Sequence, residues 1–340
     1  MFKQITRWVE TSETIKQARI DNHGLPFWKE VIKFILLTIF LEFTITALID
    51  IPIISMKTNP NTALIIKLFS TMILILIYLL FILKVEKRNL RSIGFSKDNI
   101  LSSYSKGFLI GFLMISFVVI IGLLLGEYNF KSFNMNNLYL FLPFLLGFMV
   151  QSMKEEIYTR GWIMISIARK NNIMPAIIFS SLSFVFLHVF NSGMGILAVI
   201  NIFIVGVFLS LLFLRFDNIW ISGAFHASWN FLLSYFYGLN VSGIKFASFM
   251  SISQTHYSLL GGNAFGPEAG LLTTIASLIG IAIILYYKPI KEENWIIKPL
   301  LSFYNFILKQ QKYEKGYPLN DTYNTILFSI YIIIAYEDII

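Results

Sequence analysis

Ionisable and polar side chains are sparse in the apolar stretches of this sequence, and several of those that occur there stand four residues apart. Residues at that spacing lie on the same face of an α-helix. Polar groups in an apolar environment are costly unless they are paired or used, so these residues are the first candidates for chemistry. They are Glu155 and Glu156 with Arg160, Phe184 with His188, and His226 with Asn230.

The two adjacent glutamates are expected to have different surroundings. On a helix, Glu156 can pair with Arg160, whereas Glu155 is turned by about 100° and faces another part of the fold. A buried carboxylate that is left free in this way can take a proton from water as a general base. Taken alone, the segment also fits an ordinary charged turn beside an apolar stretch.

The two histidines within apolar stretches have different helical partners. His226 and Asn230 present an imidazole and a carboxamide to one point on a helix, and two donors in a dry site can stabilise a developing oxyanion. The alternative is a polar clamp between helices. His188 shares a helix face with Phe184, and a lone histidine of this kind is more often a structural hydrogen-bonding group than a catalyst.

The composition indicates that these groups lie in a membrane protein. Of 340 residues, 56% are hydrophobic and 14% are charged, and the mean hydropathy is +0.70, which is more apolar surface than a soluble fold can bury. There is no cysteine, which excludes disulfides, thiolate metal sites and thiol nucleophiles. The net charge is +8, but the basic residues are not gathered on one face, so a nucleic-acid partner is not expected.

Eight apolar stretches are predicted to cross about 30 Å of hydrocarbon, of which the fourth is the shortest and runs directly into the charged segment at 154–156. They run approximately over 32–54, 62–83, 107–125, 138–151, 174–190, 195–214, 219–237 and 269–287. Basic residues concentrate on the cytoplasmic side of membrane proteins, and all 27 Lys and Arg but four fall on one side of these spans; the four are Lys57, Lys67, Lys131 and Lys245. Both ends of the eight-span core are therefore predicted to face the cytoplasm.

The predicted architecture is all-α, a polytopic transmembrane bundle of about eight spans at 31–290. Residues 1–30 are predicted to form an amphipathic helix on the cytoplasmic membrane surface. Residues 291–340 form a C-terminal extension whose apolar run at 325–336 is too short for a span and is expected to be interfacial or re-entrant. Glu268 is expected to complement the dipole of the last span, which begins just after it.

In chain order the polar groups spell Glu155-Glu156-x-x-x-Arg160, Phe184-x-x-x-His188 and His226-x-x-x-Asn230. This resembles the three motifs of the CAAX-processing and bacteriocin-processing (Abi) family of intramembrane peptidases, EExxxR, FxxxH and HxxxN, with no departure at any motif position. The family is related to the type II CAAX prenyl endopeptidases. The resemblance covers about 137–287, and the first thirty residues and the C-terminal extension lie outside it.

The resemblance implies cleavage of peptide bonds at membrane depth. In the mechanism that it favours, Glu155 with help from His188 activates a water molecule, and His226 and Asn230 hold the oxyanion. Glu156, Arg160 and Phe184 support the site. No cofactor is expected, although Glu155, His188 and His226 could alternatively ligate zinc with an open water position.

The sequence motifs of three other classes of intramembrane peptidase are absent from this chain. Neither His188 nor His226 is followed by Glu, as His-Glu-x-x-His requires. Trp220 replaces the first glycine of a Gly-x-Ser-Gly motif, and the dipeptide Gly-Asp does not occur. These comparisons favour a glutamate-based site.

Two functions outside catalysis are also considered. A membrane scaffold or bacteriocin-immunity protein would bind a peptide without cutting it, whereas a small-solute transporter would be expected to show inverted repeats, which the sequence lacks. The expected partners are a membrane-associated peptide or protein substrate and the lipid bilayer. The abundance of Ile, Asn, Lys and Phe suggests an AT-rich bacterial genome. The expected location is therefore a bacterial cell membrane.

Overall fold

The structure is a computed structural model that describes residues 2–20, 24–55, 58–170 and 172–286. The described part of the chain is mostly helical. The predicted C-terminal extension at 291–340, with its apolar run at 325–336, lies outside the described residues.

The helices follow one another along nearly the whole described chain. In chain order they are α1 (Phe2–Thr11), α2 (Glu13–Ile20), α3 (Phe27–Leu37), α4 (Thr46–Ser55), α5 (Pro60–Leu80), α6 (Ile100–Leu124), α7 (Phe141–Glu156), α8 (Ile165–Ala168), α9 (Ile173–Phe186), α10 (Ile196–Phe216), α11 (Ile219–Phe231) and α12 (Leu271–Tyr286). Segments with π-helical hydrogen bonding link or extend several of them, at Thr38–Ile45, Phe81–Val85, Ile157–Met164 and Leu232–Phe236.

Asparagine side chains fix where several of these helices begin. The carboxamide oxygen of Asn59 accepts the backbone N–H of residue 61 at 2.9 Å, and Asn172 and Asn218 cap α9 and α11 in the same way at 3.0 Å and 2.9 Å. Such caps satisfy N–H groups that the first helical turn leaves without a partner. Two of them set the start of α9, which leads into the turn with His188, and of α11, which carries His226.

Four helices of the described residues are long and apolar enough to cross a membrane, by length and composition. They are Phe27–Ile53, Pro60–Val85, Ile100–Leu124 and Ile196–Phe216. The other predicted spans correspond to α7, α9, α11 and α12, which are helical but shorter or interrupted. A helical membrane protein is thus confirmed, whereas the count of eight spans stays a prediction.

The N-terminal segment is helical but divided in two. The Asp217 carboxylate accepts a hydrogen bond of 2.9 Å from the first backbone N–H of α2, which ties this helix to the end of α10. Ile15 and Ala18 are fully buried against the rest of the protein. The apolar face of α2 therefore packs on protein, and contact of 1–30 with the membrane surface stays a prediction.

The helix that carries the glutamates is longer than the predicted fourth span. Helix α7 does not end near residue 151 but continues as the π-helical segment Ile157–Met164 into α8. Residues 152–168 are all buried. The charged segment therefore lies inside the bundle, and it is not a turn beside the membrane. Wider π-helical turns are often found at functional sites.

The helix that precedes His188 is shorter than predicted. Helix α9 has 14 residues and ends at Phe186, not at residue 190, which gives it a length of about 21 Å. Irregular backbone is tolerated at membrane depth only where it is buried in protein or lines a cavity. The early end of α9 thus places His188 on a turn inside the bundle.

Helices α6 and α11 approach each other closely, and this contact positions the third motif. A Cβ atom added at Gly107 would lie 2.2 Å from the carbonyl oxygen of Ile221, and one added at Gly111 would lie 2.6 Å from that of Phe225. Only glycine fits at such distances, as in other packed membrane helices. The close packing holds the middle of α11 in the bundle interior.

A small sheet covers one end of the bundle. Strand β1 (Tyr128–Phe133) pairs with β2 (Met250–Gln254) in antiparallel register. Both strands lie in long connections, the first between α6 and α7 and the second between α11 and α12. The hydroxyl of Tyr128 donates a hydrogen bond of 2.9 Å to the carbonyl of Gly261, so these two connections form one structural layer.

Candidate active site

The three sequence groups meet at one place in the bundle. Helix α7 supplies the glutamates, the turn after α9 supplies His188, and α11 supplies His226 and Asn230. Each of these side chains is buried. Contacts among them connect the whole set, which no single motif could show.

Glu156 joins the first and third motifs. Its Oε1 accepts a hydrogen bond of 2.7 Å from Nη1 of Arg160, which is the pair predicted from the spacing. The same oxygen lies 3.0 Å from Nδ1 of His226, which donates its proton to the carboxylate. Glu156 and Arg160 have no exposed side-chain surface. Glu156 therefore orients His226 as well as pairing with the arginine.

Phe184 occupies the centre of the cluster. The guanidinium carbon of Arg160 lies 4.4 Å from the centre of the Phe184 ring, a cation–π geometry. The rings of His188 and His226 contact the same phenyl group edge-on, with centroid distances of 4.8 Å and 5.6 Å. The aromatic residue of the second motif thus holds both imidazoles and the arginine in place.

The protonated nitrogen of His188 can be assigned from its partner. Its Nδ1 lies 2.8 Å from the carbonyl oxygen of Phe184, which can only accept, so Nδ1 carries the proton and donates it. In a neutral imidazole the other nitrogen, Nε2, then has a free lone pair. His188 is therefore set up to accept a proton or to bind an electrophile through Nε2.

Glu155 has one engaged and one open oxygen. Its Oε1 accepts a hydrogen bond of 2.6 Å from Nε2 of Gln151 and lies 3.6 Å from the Lys154 ammonium. Its Oε2 lies 3.8 Å from Nε2 of His226 and has no hydrogen-bond partner in the described part of the chain. A buried oxygen of this kind is available to a water molecule or a substrate.

Lys154 connects Glu155 to a second buried carboxylate, Glu42. The ammonium group lies 2.9 Å from Oε2 of Glu42, and the hydroxyl of Tyr78 donates to the other oxygen of that carboxylate. The spacing of Gln151 and Glu155 could have revealed their contact. The pairing of Glu42 with Lys154 has no sequence signal, because these residues are 112 positions apart.

Asn230 faces the same helix as the glutamates. Its carboxamide nitrogen lies 3.3 Å from Oε1 of Gln151 and 3.5 Å from the hydroxyl of Ser152. Gln151 therefore links Asn230 with Glu155. This places the third-motif carboxamide beside the open carboxylate, as an oxyanion donor would require.

A cavity of about 230 Å³ opens beside this cluster. Glu155, His188 and Asn230 line it together with residues of the first two membrane helices, of α7, of the turn after α9 and of the long connection between α11 and α12. Those other lining residues are Glu42, Phe43, Thr46, Leu64, Lys67, Leu68, Thr71, Phe148, Gln151, Lys154, Leu187, Asn191, Val241, Ser242, Ile244 and Phe246.

Glu268 is a further buried carboxylate that the sequence assigned only to a helix end. It precedes α12 as expected, but its side chain turns inward, where it accepts a hydrogen bond of 3.1 Å from Nε1 of Trp229 and two from the backbone and hydroxyl of Ser242. Burial raises the pKa of Glu268, and the bonds from Ser242 and Trp229 partly offset this. With His188 and His226 it lines a second cavity of about 10 Å³, close to the volume that one water molecule needs, roughly 10–15 Å³.

The donor set for a metal ion is limited. Within the described ranges, no group of three His, Asp or Glu side chains is arranged to hold a metal ion. The Nδ1 atoms of both histidines already donate, to Phe184 and to Glu156. A zinc ion would therefore have to bind the Nε2 atoms of the two histidines and Oε2 of Glu155. In the described part of the chain these atoms are not arranged as a metal site.

The fold and this cluster define a helical membrane protein with a polar site buried in its bundle. Residues 136–232 match the family model described as type II CAAX prenyl endopeptidase Rce1-like. This segment is an Rce1-like domain, and the family resemblance drawn from the three motifs is confirmed. The family is one of proteases, which supports peptidase activity in general terms.

The match covers less than half of the chain but includes every motif residue from Glu155 to Asn230. The connection that carries Ser242 and Glu268 lies outside it. No curated protein and no solved structure matches the chain.

Proposed function

We propose that this protein is an intramembrane endopeptidase of a bacterial cell membrane that cleaves a membrane-associated peptide or protein, with Glu155 as the general base. The observation that carries the proposal is the open Oε2 of this buried carboxylate, which lies 3.8 Å from His226. The Rce1-like match supports the class of reaction.

The reaction begins with a water molecule held between Oε2 of Glu155 and Nε2 of His188. Glu155 takes one proton of the water, and the oxygen attacks the carbonyl carbon of the peptide bond. Lys154, 3.6 Å from the other carboxylate oxygen, and Gln151 keep the base in place. The tetrahedral intermediate that forms carries a negative charge on the former carbonyl oxygen.

His226 and Asn230 stabilise that oxyanion. Because Nδ1 of His226 donates to Glu156, its Nε2 can donate as well only when the ring is an imidazolium. The Glu156 carboxylate and the oxyanion face that charge, because Glu155 holds the proton of the water at this stage. The proton held by Glu155 then passes to the leaving nitrogen, so the products are a new carboxyl end and a free amine.

The proposal is tested by replacing Glu155 with the isosteric glutamine. Peptides released from host membranes are compared between wild type and Glu155→Gln, with detergent melting as the measure of folding. We expect cleavage to fall by about 10²-fold or more, with little change in melting. Gln151→Ala is the matched control, because it removes a hydrogen bond to the same carboxylate but leaves its charge.

The alternatives give different results in the same experiment. A Glu155→Gln variant with full biological activity would favour a scaffold or bacteriocin-immunity protein that binds a peptide without cutting it. Zinc bound in stoichiometric amounts by the purified protein would favour the metal-dependent mechanism with Glu155, His188 and His226 as ligands.

A further inference from the structure

The two ends of the bundle differ in charge. At one end, Lys33 pairs with Glu86 at 3.0 Å and Arg169 with Glu30 at 3.2 Å, and Arg91 pairs with the aspartate at the end of α10. In the part of the chain that the structure describes, the helix ends and connections at this end, which we call the basic face, contain most of the Lys and Arg. Basic connections are retained on the cytoplasmic side of a membrane.

The other end is the sheet face, formed by β1, β2 and the connections around them. The active-site cavity is lined from this side. Asn191 follows α9, and Ser242, Ile244 and Phe246 belong to the connection that also contains β2. Lys67 lies in the first half of α5, which begins at the same end. Within the described residues, no side chain of the basic-face connections lines this cavity.

An aromatic layer closes the cavity toward the basic face. Tyr78, Tyr158 and Trp162 are fully buried, and their ring centroids lie 5.1 Å to 5.9 Å apart. Tyr78 donates to Glu42 at the cavity floor, and the indole nitrogen of Trp162 donates to Glu86 at the basic face, at 3.1 Å. The layer therefore fills the space between the active site and the connections of the basic face.

We infer that the active site is entered from the sheet face, and that the substrate is a peptide segment presented at the non-cytoplasmic side of the membrane. The position of the cavity and the aromatic layer carry the inference. The identity of the occupant as a substrate rests on the proposed function, whereas the side of entry does not.

The cavity also limits the form of that segment. Its volume of about 230 Å³ lies below the roughly 300–1,000 Å³ of pockets for drug-sized ligands. An α-helix with side chains is about 10–12 Å wide, so it does not fit beside Glu155. The segment must be extended over the residues next to the scissile bond, with apolar side chains against Phe148 and Phe246. Its polar contacts are with Lys67, which lines the cavity and pairs with Asp50 at 2.6 Å.

The absence of cysteine allows a direct test, because every introduced thiol is unique. Single cysteines are placed at Asn191 on the cavity rim, at Thr71 and Leu64 on its wall, and at Lys97 on the basic face as a control. Right-side-out and inverted membrane vesicles are treated with a charged methanethiosulfonate that does not cross membranes. Melting in detergent and expression show which variants are folded.

We expect the cysteines at Asn191, Thr71 and Leu64 to react in right-side-out vesicles and the cysteine at Lys97 to react in inverted vesicles. Wall cysteines that react only in inverted vesicles, or in neither preparation, would overturn the inference. Two wall positions are used so that one of them can still be measured if the variant at the other does not fold. Labelling does not require cleavage, so a Glu155→Gln variant that stays active would refute the proposed function and leave the side of entry unaffected.

Discussion

The buried pair of Glu156 and Arg160 can be tested by a double-mutant cycle that separates folding from catalysis. Arg160→Met leaves the Glu156 carboxylate in the interior without its arginine, 2.7 Å away in wild type. Removing one partner of a buried ion pair costs about 3–5 kcal/mol. A loss of this size corresponds to a fall in melting temperature on the order of 10 °C.

The second mutation should restore stability but not activity. In Glu156→Gln with Arg160→Met neither buried charge remains, and replacing a whole buried pair is often nearly neutral. The glutamine oxygen can still accept the Nδ1 proton of His226, but the negative charge is gone. Hydrogen bonds to charged groups contribute about 1.5–3 kcal/mol, against about 0.5–1.5 kcal/mol for neutral ones. The difference of about 1–1.5 kcal/mol should keep cleavage in the double variant about 10-fold below wild type.

The assay measures melting in detergent and cleavage per folded molecule for wild type, both single variants and the double variant. A double variant that recovers melting and full cleavage together would refute the reasoning, because Glu156 would then serve the fold alone. A double variant as unstable as Arg160→Met would show that the contact between Arg160 and Phe184, not the charge pairing, dominates.

Three further predictions follow from other contacts of the site and of the basic face. Asn230→Ala should slow cleavage by about 10²-fold, the effect of one lost oxyanion donor, with the melting temperature nearly unchanged. If cleavage and melting temperature both fell strongly, Asn230 would be a structural clamp between helices. Cleavage should survive prolonged chelation, and stoichiometric zinc that is lost in His226→Ala would contradict this. Burial alone would raise the pKa of Glu86, but the positive charges of Lys33 and Arg88 hold that pKa below its usual value. The stability that this pairing gives is present above the ordinary glutamate pKa of about 4.3 and is lost as the pH falls through the lower folded value. The melting temperature of wild type should therefore fall on acidification, and that of Glu86→Gln should fall less.

Contacts within one helix were predictable from the sequence. A spacing of four residues predicted the pairing of Glu156 with Arg160 and the shared face of Phe184 and His188. The bond from His226 to Glu156 joins residues 70 positions apart and depends on how α7 packs against α11. That packing is set by small residues, such as Gly223, where an added Cβ would lie 2.5 Å from a methionine methyl group of α7. Spacing cannot reveal such a contact.

The ends of the membrane helices were predicted less well, and for a physical reason. Hydropathy treats a run of charges as the end of a span, but in α7 the charges are compensated inside the bundle and the helix continues past them. The same scale extends α9 to residue 190, because the four residues after Phe186 are largely apolar. In the structure these residues form a turn, in which Nδ1 of His188 donates to the carbonyl oxygen of Phe184.

The buried charges of the site explain why a histidine lies between two glutamates. Uncompensated charges are very costly in an apolar interior. The net charge of the buried groups of the site should therefore be close to zero. In the network of contacts that contains His226, the buried acids are Glu42, Glu155 and Glu156, and the buried bases are Lys154 and Arg160. Glu268 is not counted, because its hydrogen bonds go to Trp229 and Ser242. With all of the counted groups ionised, one negative charge remains, and an imidazolium at His226 removes it. Replacing His226 by alanine therefore disturbs the charge balance as well as the oxyanion contact, and a loss of cleavage in that variant has two causes. In Glu155→Gln the remaining acids and bases balance when His226 is neutral, so no uncompensated charge is left in the interior. A folded but inactive Glu155→Gln protein is therefore the more direct evidence that this carboxylate is needed for catalysis.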